Sequence, residues 1–209
     1  RRGGEEKRRE ERRGEGRRED SCQVKMDQRI IVAFHHSIDS PNAAALKDLA
    51  KQHPDILNTP FNGLVPLQRA AWNKDKALIA LLLELGAEVD GVAATGQEDD
   101  DPVMGESPLM ITSESNSIDC SLLLLEKGAD PSFFCEGVTP LHGAVKTGNS
   151  EIVKLILEFG GDPDLCGGEY VNGSDWNGKG QTALEVAKAL KFQEIEMLLE
   201  SWEGRTIKG

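Results

Sequence analysis

The feature that most constrains this chain is a six-residue pattern that recurs four times. Its clearest copy, residues 139–144, reads Thr-Pro-Leu-His-Gly-Ala, and near-copies begin at Val65, Ser107 and Thr182. The first three copies in the chain are each followed, about twenty residues after the proline, by a glycine-containing turn at residues 86–88, 128–130 and 160–162. A unit this short cannot bury its own apolar face, so the pattern predicts that similar units stack on one another.

The spacing of the copies predicts two insertions. From Pro66 the next motif proline follows after 42 residues and the third after a further 32, and Ala183 takes the proline position 43 residues later. Only the middle interval is close to 33, a common period for helical repeats. The two longer intervals contain segments without a helical pattern, residues 96–106 and 167–180, here called the first and second insertions.

The motif and its period resemble the ankyrin repeat, a β-turn followed by two antiparallel helices. The resemblance implies an all-α solenoid of stacked helix-turn-helix units with β-turn or hairpin fingers. Run backwards, the repeat frame places a degenerate first unit near Ala33, with residues 34–36 where Pro-Leu-His would stand. The predicted domain is residues 26–209, divided into approximate repeats 26–58, 59–91, 92–132, 133–165 and 166–209.

Residues 1–25 differ in composition from the repeats. Residues 1–21 contain nine Lys or Arg and seven Asp or Glu with no hydrophobic period, which predicts a disordered charged tail. A nuclear-import or phosphate-binding arm is the functional alternative. Because the chain does not begin with Met and Met26 stands at the start of the repeat frame, translated upstream sequence is another interpretation.

The charge and hydropathy of the chain limit the classes of partner and the compartments that we expect for it. The formal net charge is −12, so we expect the chain to repel nucleic acid and to suit a basic protein or peptide. The longest apolar run, residues 122–125, is far too short to cross a bilayer, and the N-terminus lacks a signal peptide's apolar segment. We therefore expect no membrane insertion and a cytoplasmic chain, with the nucleus as the alternative compartment, monomeric apart from its partner.

The sequence contains no recognisable cofactor or metal motif. Its four cysteines are scattered without a C-x-x-C pair, which predicts isolated thiols in a reducing compartment. Residues 173–180 match the phosphate-binding loop up to its last position, where Gly180 replaces the required Ser or Thr. His142 has a structural role in the ankyrin frame, where this histidine hydrogen-bonds locally and bridges neighbouring turns. We expect no catalytic, cofactor or metal site.

The resemblance also implies a recognition surface. Ankyrin proteins bind through the finger tips and the exposed, concave side of the first helices, where three positions of each motif look outward. In this chain those positions are Arg69, Trp72 and Asn73; Ile111, Glu114 and Ser115; Gly143, Lys146 and Thr147; and Val186, Ala189 and Leu190.

The insertions contribute further candidates. The acidic run Glu98, Asp99, Asp100 and Asp101 lacks the ligand order of a calcium loop, so it is either a solvated loop or a contact for a basic partner. Tyr170 and Trp176 either anchor a partner or pin the second insertion onto its own scaffold. An exposed Trp is costly unless it is used, so Trp72 is the strongest single candidate, with packing against a neighbouring finger as its structural alternative.

Two function classes follow. The first is a non-enzymatic interaction module, an adaptor, scaffold or inhibitor, since no nucleophile, base and orienting group converge across the repeats. The second is the interaction segment of a larger protein whose catalytic or effector part lies outside this chain.

Overall fold

The protein is described by a computed structural model covering residues 28–39, 43–93, 105–135, 137–167 and 180–202. Ten α-helices lie in these residues and form five consecutive pairs. They are α1 Gln28–Asp39, α2 Ala43–Gln52, α3 Pro66–Trp72, α4 Lys76–Leu85, α5 Pro108–Glu114, α6 Ile118–Glu126, α7 Pro140–Thr147, α8 Ser150–Glu158, α9 Ala183–Leu190 and α10 Gln193–Glu200. A 3₁₀ helix, Pro54–Asn58, follows the first pair.

The pairs stack in two layers. The first helices α1, α3, α5, α7 and α9 contact one another in chain order and form the first-helix layer. The second helices α2, α4, α6, α8 and α10 do the same and form the second-helix layer. The chain is therefore the predicted solenoid of helix-turn-helix units.

The repeated motif sets the start of the first helices. Pro66, Pro108 and Pro140 occupy the first helical position, where the missing N–H costs nothing. Ser107 and Thr139 precede two of these prolines, and each side-chain oxygen accepts a hydrogen bond from the backbone N–H three residues later. The motif thus acts as a helix-initiation signal.

The second helices have their own boundary residues. Asp75 caps α4 and Asn149 caps α8 by accepting backbone N–H groups of the first turn. After α4, α6 and α8 the chain reverses through Gly86, Gly128 and Gly160, whose φ values of 102°, 90° and 96° favour glycine. These three glycines explain why a glycine recurs in every turn of the sequence pattern.

The first unit departs from the predicted frame. Residues 34–36 lie in the interior of α1, which begins no later than Gln28, so the prediction that they start the helix is wrong. Phe34 and His35 are almost fully buried, while His36 is exposed. The frame fails here because this unit has no proline to fix the first turn, and its first helix is longer than the other four.

Two short fingers and the base of the second insertion join pairs at one edge. Single antiparallel bridges close them between Phe61 and Leu64, Cys135 and Val138, and Gly167 and Gln181. The first finger turns through residues 62–63, Asn-Gly, both with positive φ, as a two-residue hairpin requires. Within the described residues the fingers contain isolated bridges rather than strands.

A ladder of hydrogen bonds links the turns that follow the second helices. Asn58 Oδ1 accepts from the Glu88 N–H at 3.0 Å, and Ser132 Oγ accepts from the Asp162 N–H at 3.0 Å. Between these rungs, the Asp90 carboxylate accepts from the Asp130 N–H at 3.0 and 3.2 Å. The same position in three successive units therefore receives a backbone donor from the next unit.

Asp90 is the only charged acceptor among these three rungs. Burial raises the pKa of its carboxyl, the hydrogen bond from the Asp130 N–H lowers it, and the nearby charge of Asp130 raises it further, so that the net shift is upward. The folded chain therefore holds this proton to a higher pH than the unfolded chain. Stability falls as the pH rises from about 3.9 through the raised pKa.

We predict that Asp90→Asn raises the urea midpoint of unfolding at pH 7. This substitution gives the rung the same kind of acceptor that Asn58 provides on the preceding rung. The amide keeps an acceptor oxygen for Asp130 and removes the buried charge. Asp90→Ala removes the acceptor and should cost about 1 kcal/mol. A midpoint for Asp90→Asn below that of the wild type would show that the carboxylate charge itself stabilises the turn.

Candidate functional site

The first-helix layer presents one exposed column of side chains. Six residues after the motif proline, or its equivalent, stand Trp72, Glu114, Lys146 and Ala189; all are exposed except Glu114, which is half-buried. The next position holds Asn73 and Thr147, which are exposed, and Ser115 and Leu190, which are half-buried. These positions lie on the accessible side of the layer, and their role in binding remains a prediction.

The third predicted outward position is not outward in most units. Ile111 is 5% exposed and Val186 2% exposed, and Gly143 is buried. The prediction that these three residues look outward is wrong, and only Arg69 at this position reaches solvent, half-buried. A Cβ on Gly143 would lie 2.8 Å from Glu114 Cγ, so this position faces the first helix of the preceding unit across a tight seam.

Trp72 is the most exposed aromatic side chain described. It ends α3 with 64% of its surface exposed, so most of the side chain is left to solvent. Phe133 and Phe134 lie next to each other in a later finger. Phe133 covers the junction between units by packing on the cluster of Met110, Cys135 and Val138, whereas Phe134 is 53% exposed.

His142 ties two units together, as the resemblance implied. Its Nε2 lies 2.9 Å from the Gln181 carbonyl, which can only accept, so Nε2 carries the proton. Nδ1 then accepts from the Thr139 hydroxyl at 2.8 Å. Gln181 immediately follows the second insertion and pairs with Gly167, the first residue of that insertion, so His142 holds its base.

Gln68 holds the base of the first insertion in the same way, two units before His142, and this role was not predicted from the sequence. Its Oε1 accepts from the Val65 N–H at 2.8 Å and from the Ala93 N–H at 3.3 Å. Its Nε2 donates to the Glu106 carbonyl at 2.7 Å, so one amide bridges both ends of the first insertion. The available signal was that Gln68 occupies the histidine position of a unit followed by an insertion.

Met110 occupies the same motif position in the third unit, which is followed directly by a short finger. It packs on the apolar base of the Cys135–Val138 bridge. Among units two to four, a polar side chain at this position accompanies an insertion and the apolar one accompanies a closed finger.

Two hollows lie near these helices. An open groove of about 400 Å³ lies between α8 and α10, with Met197 and Leu198 in its lining, and Ser150 Oγ donates to Glu194 Oε1 there at 2.7 Å. Its lining contains no His or Cys to activate or act as a nucleophile. A second hollow of about 10 Å³ beside Gly143 has room for little more than one water molecule.

Other site predictions have different outcomes. Cys120 and Cys135 are buried, and Cys166 is exposed. Over residues 28–202, apart from the undescribed gaps, no three His, Cys, Asp or Glu side chains are grouped so as to hold a metal ion. None of the helices described above is long and apolar enough to cross a membrane. The tail 1–25, Cys22, the acidic run 98–101, Tyr170 and Trp176 lie outside the described residues.

Comparison with known proteins identifies the family. A model of ankyrin repeats, with three copies, matches residues 91–165. A putative ankyrin repeat protein, R664, from Acanthamoeba polyphaga mimivirus is 36% identical over 129 residues, which are 60% of this chain and 70% of that protein. This chain belongs to the ankyrin repeat family, whose repeats are general protein-interaction modules.

Other relatives are much longer proteins. The mouse B-cell lymphoma 3 protein homolog is 30% identical over 137 residues, covering 65% of this chain and 29% of that protein. The rabbit ankyrin repeat and SOCS box protein 5 is 34% identical over 97 residues, covering 46% of this chain and 27% of that protein. The matched part thus spans little more than a quarter of each of these two relatives.

We predict that Trp72→Ala changes the free energy of unfolding by less than about 1 kcal/mol, because an exposed ring makes few native contacts. Leu141→Ala, at a motif position that is 1% exposed, should cost about 2–5 kcal/mol. Urea unfolding of both variants beside the wild type makes the comparison. A loss from Trp72→Ala as large as that from Leu141→Ala would place Trp72 in the core.

We predict that His142 makes stability fall on acidification. Burial lowers the pKa of its imidazole, which outweighs the raising effect of the Gln181 carbonyl, so the unfolded chain binds this proton more readily. Stability is therefore lost as the pH falls below about 6.5.

His142→Gln, which introduces the side chain that Gln68 carries at the same motif position, should keep a bridging group and give a shallower loss of thermal midpoint between pH 7.5 and 5.5. His142→Ala should cost about 1–3 kcal/mol at pH 7.5, because it orphans buried polar groups. An unchanged pH slope in His142→Gln would show that another group titrates.

Proposed function

We propose that this chain is a non-enzymatic protein-interaction module, an adaptor, scaffold or inhibitor, that binds a protein or peptide across the first-helix layer and the finger edge. The observation that supports it is Trp72, 64% exposed at the end of α3. A large aromatic side chain left in water is characteristic of an interface, where Trp is enriched among the residues that dominate affinity.

The proposed contact set combines the exposed column with residues of the insertions. On the helices it includes Arg69, Trp72, Asn73, Glu114, Lys146 and Thr147. In the insertions it includes Glu98, Asp99, Asp100, Asp101, Tyr170 and Trp176. The four consecutive acids of the first insertion suit a basic region of the partner.

The clamps at Gln68 and His142 support the use of the finger edge. Each ties the end of an insertion to a rigid helix through hydrogen bonds of 2.7–2.9 Å. Fixed loop ends reduce the conformational entropy that a loop loses on binding. We further propose that the chain is monomeric apart from its partner and resides in the cytoplasm, with the nucleus as the alternative; its four cysteines, scattered without a C-x-x-C pair, favour a reducing compartment.

A second candidate is an interaction segment of a larger protein. It is favoured by the coverage of the longer relatives, of which the matched part is 24–29%. Immunoblotting of the native cell with an antibody against residues 26–209 tests it. A band well above the 22.8 kDa of this chain supports the larger protein, and a band at that mass argues against it.

We predict that Trp72→Ala abolishes capture of the native partner while Met197→Ala preserves it. Met197 is the matched control, because it is 66% exposed but lies on the second-helix layer. Tagged wild type and both variants are expressed in the native cell, and co-purified proteins are quantified by mass spectrometry. Proteins missing only from the Trp72→Ala capture support the proposal. Proteins missing only from the Met197→Ala capture would instead place the interface on the second-helix layer.

A further inference from the structure

The two layers carry opposite charge in units two to five. The first-helix segments, residues 66–74, 105–116, 139–148 and 182–191, have five basic residues against three acidic ones. The second-helix segments, residues 75–93, 117–132, 149–167 and 192–202, have three basic residues against fourteen acidic ones. The strong negative charge of the chain is therefore concentrated on one side of its described part.

The basic set of the first-helix segments is Arg69, Lys74, Lys146, Lys188 and Lys191, and their acids are Glu106, Glu114 and Glu185. The acids of the second-helix segments are Asp75, Glu84, Glu88, Asp90, Asp119, Glu126, Asp130, Glu151, Glu158, Asp162, Asp164, Glu194, Glu196 and Glu200, and their bases are Lys76, Lys127 and Lys154.

The basic residues differ in what they offer a partner. Lys188 Nζ is 2.8 Å from Glu200 Oε1, so it adds little positive charge to the first-helix layer. Lys74 donates to the Ser115 carbonyl, which is neutral, and keeps its charge. Arg69 and Lys74 flank Trp72 in sequence, and Arg69 lies one helical turn before it on α3. Lys146 is exposed in the same column as Trp72, two units further on.

We infer that the first-helix layer binds an acidic protein segment that carries a bulky apolar side chain. The apolar side chain covers Trp72, and carboxylates of the segment meet Arg69, Lys74 and Lys146. Charge complementarity favours this occupant over a basic one, because a basic segment laid here would face three like charges against one opposite charge in the same column, Glu114. The inference rests on the proposed function and specifies the chemistry of its partner.

The test uses a random 16-residue peptide phage library selected on the immobilised wild-type chain. Enriched peptides are synthesised, and their affinities are measured by fluorescence anisotropy for the wild type and for four variants. Lys146→Glu and Trp72→Ala change the first-helix layer. Lys154→Glu and Met197→Ala are their matched controls on the second-helix layer, where Lys154 is also exposed.

We expect enriched peptides to contain several Asp or Glu beside an aromatic or aliphatic residue. Lys146→Glu should weaken their binding about tenfold and Trp72→Ala at least as much, while each control stays within about twofold. Affinity should also fall as NaCl is raised. Thermal melts check that all variants fold. If Lys146→Glu does not fold, Lys146→Gln, which removes the charge without reversing it, takes its place.

The contrary outcomes are separable. Basic peptides, or peptides weakened by Trp72→Ala but unaffected by Lys146→Glu, would overturn this inference and leave the proposed function intact. No enrichment, or binding unaffected by either first-layer variant, would count against both. If a short polyphosphate bound with the same affinity as the peptides, the layer would attract any anion. If light scattering showed wild-type dimers that Trp72→Ala dissociates, the occupant would be a second copy of this chain. Either result overturns the inference.

Discussion

Sharing of apolar surface between neighbouring helix pairs is the constraint on which the rest of this structure depends. Helices α3 to α10 have seven to ten residues, shorter than the 12–15 below which an isolated helix is marginal in water. Ile152, Ile156 and Leu157 on α8 are fully buried although one helix partner could cover only one stripe. Each pair is therefore stabilised by the pairs on either side, and the array is stable only as a whole.

Stacking also explains which side chains remain for function. Where first helices approach across a seam, Ile111, Gly143 and Val186 are consumed by packing, and Arg69 at the same position stays half-buried. The position three residues later escapes this seam, which leaves Trp72 and Lys146 in water. Function in this fold is thus restricted to positions that stacking does not require, and these are few enough to be tested one by one.

The sequence was sufficient for the architecture because its signals are local. A proline at the first helical position, a capping hydroxyl before it and a glycine after the second helix each act within one turn, and their recurrence reveals the period. The first unit lacks that proline, and there the predicted frame failed. The outward orientation of Ile111, Gly143 and Val186 also failed, because it depends on the distance between helices of different units, which no local pattern encodes.

The hydrogen-bonding roles of His142 and Gln68 were only partly predictable from the sequence. His142 was predictable because the family motif contains it, whereas Gln68 appeared only as a deviation until its contacts with Ala93 and Glu106 were visible. Charge behaves similarly: the net charge of −12 is a sum, and only the separation into layers reveals that acids and bases face different neighbours. The two helix layers of a solenoid can differ in charge, since each layer draws its surface from different repeat positions. Because interactions between exposed charges of either sign are screened beyond about 8–10 Å at physiological salt, the charges of the adjacent layer, rather than the net charge of the chain, govern what each side attracts at short range.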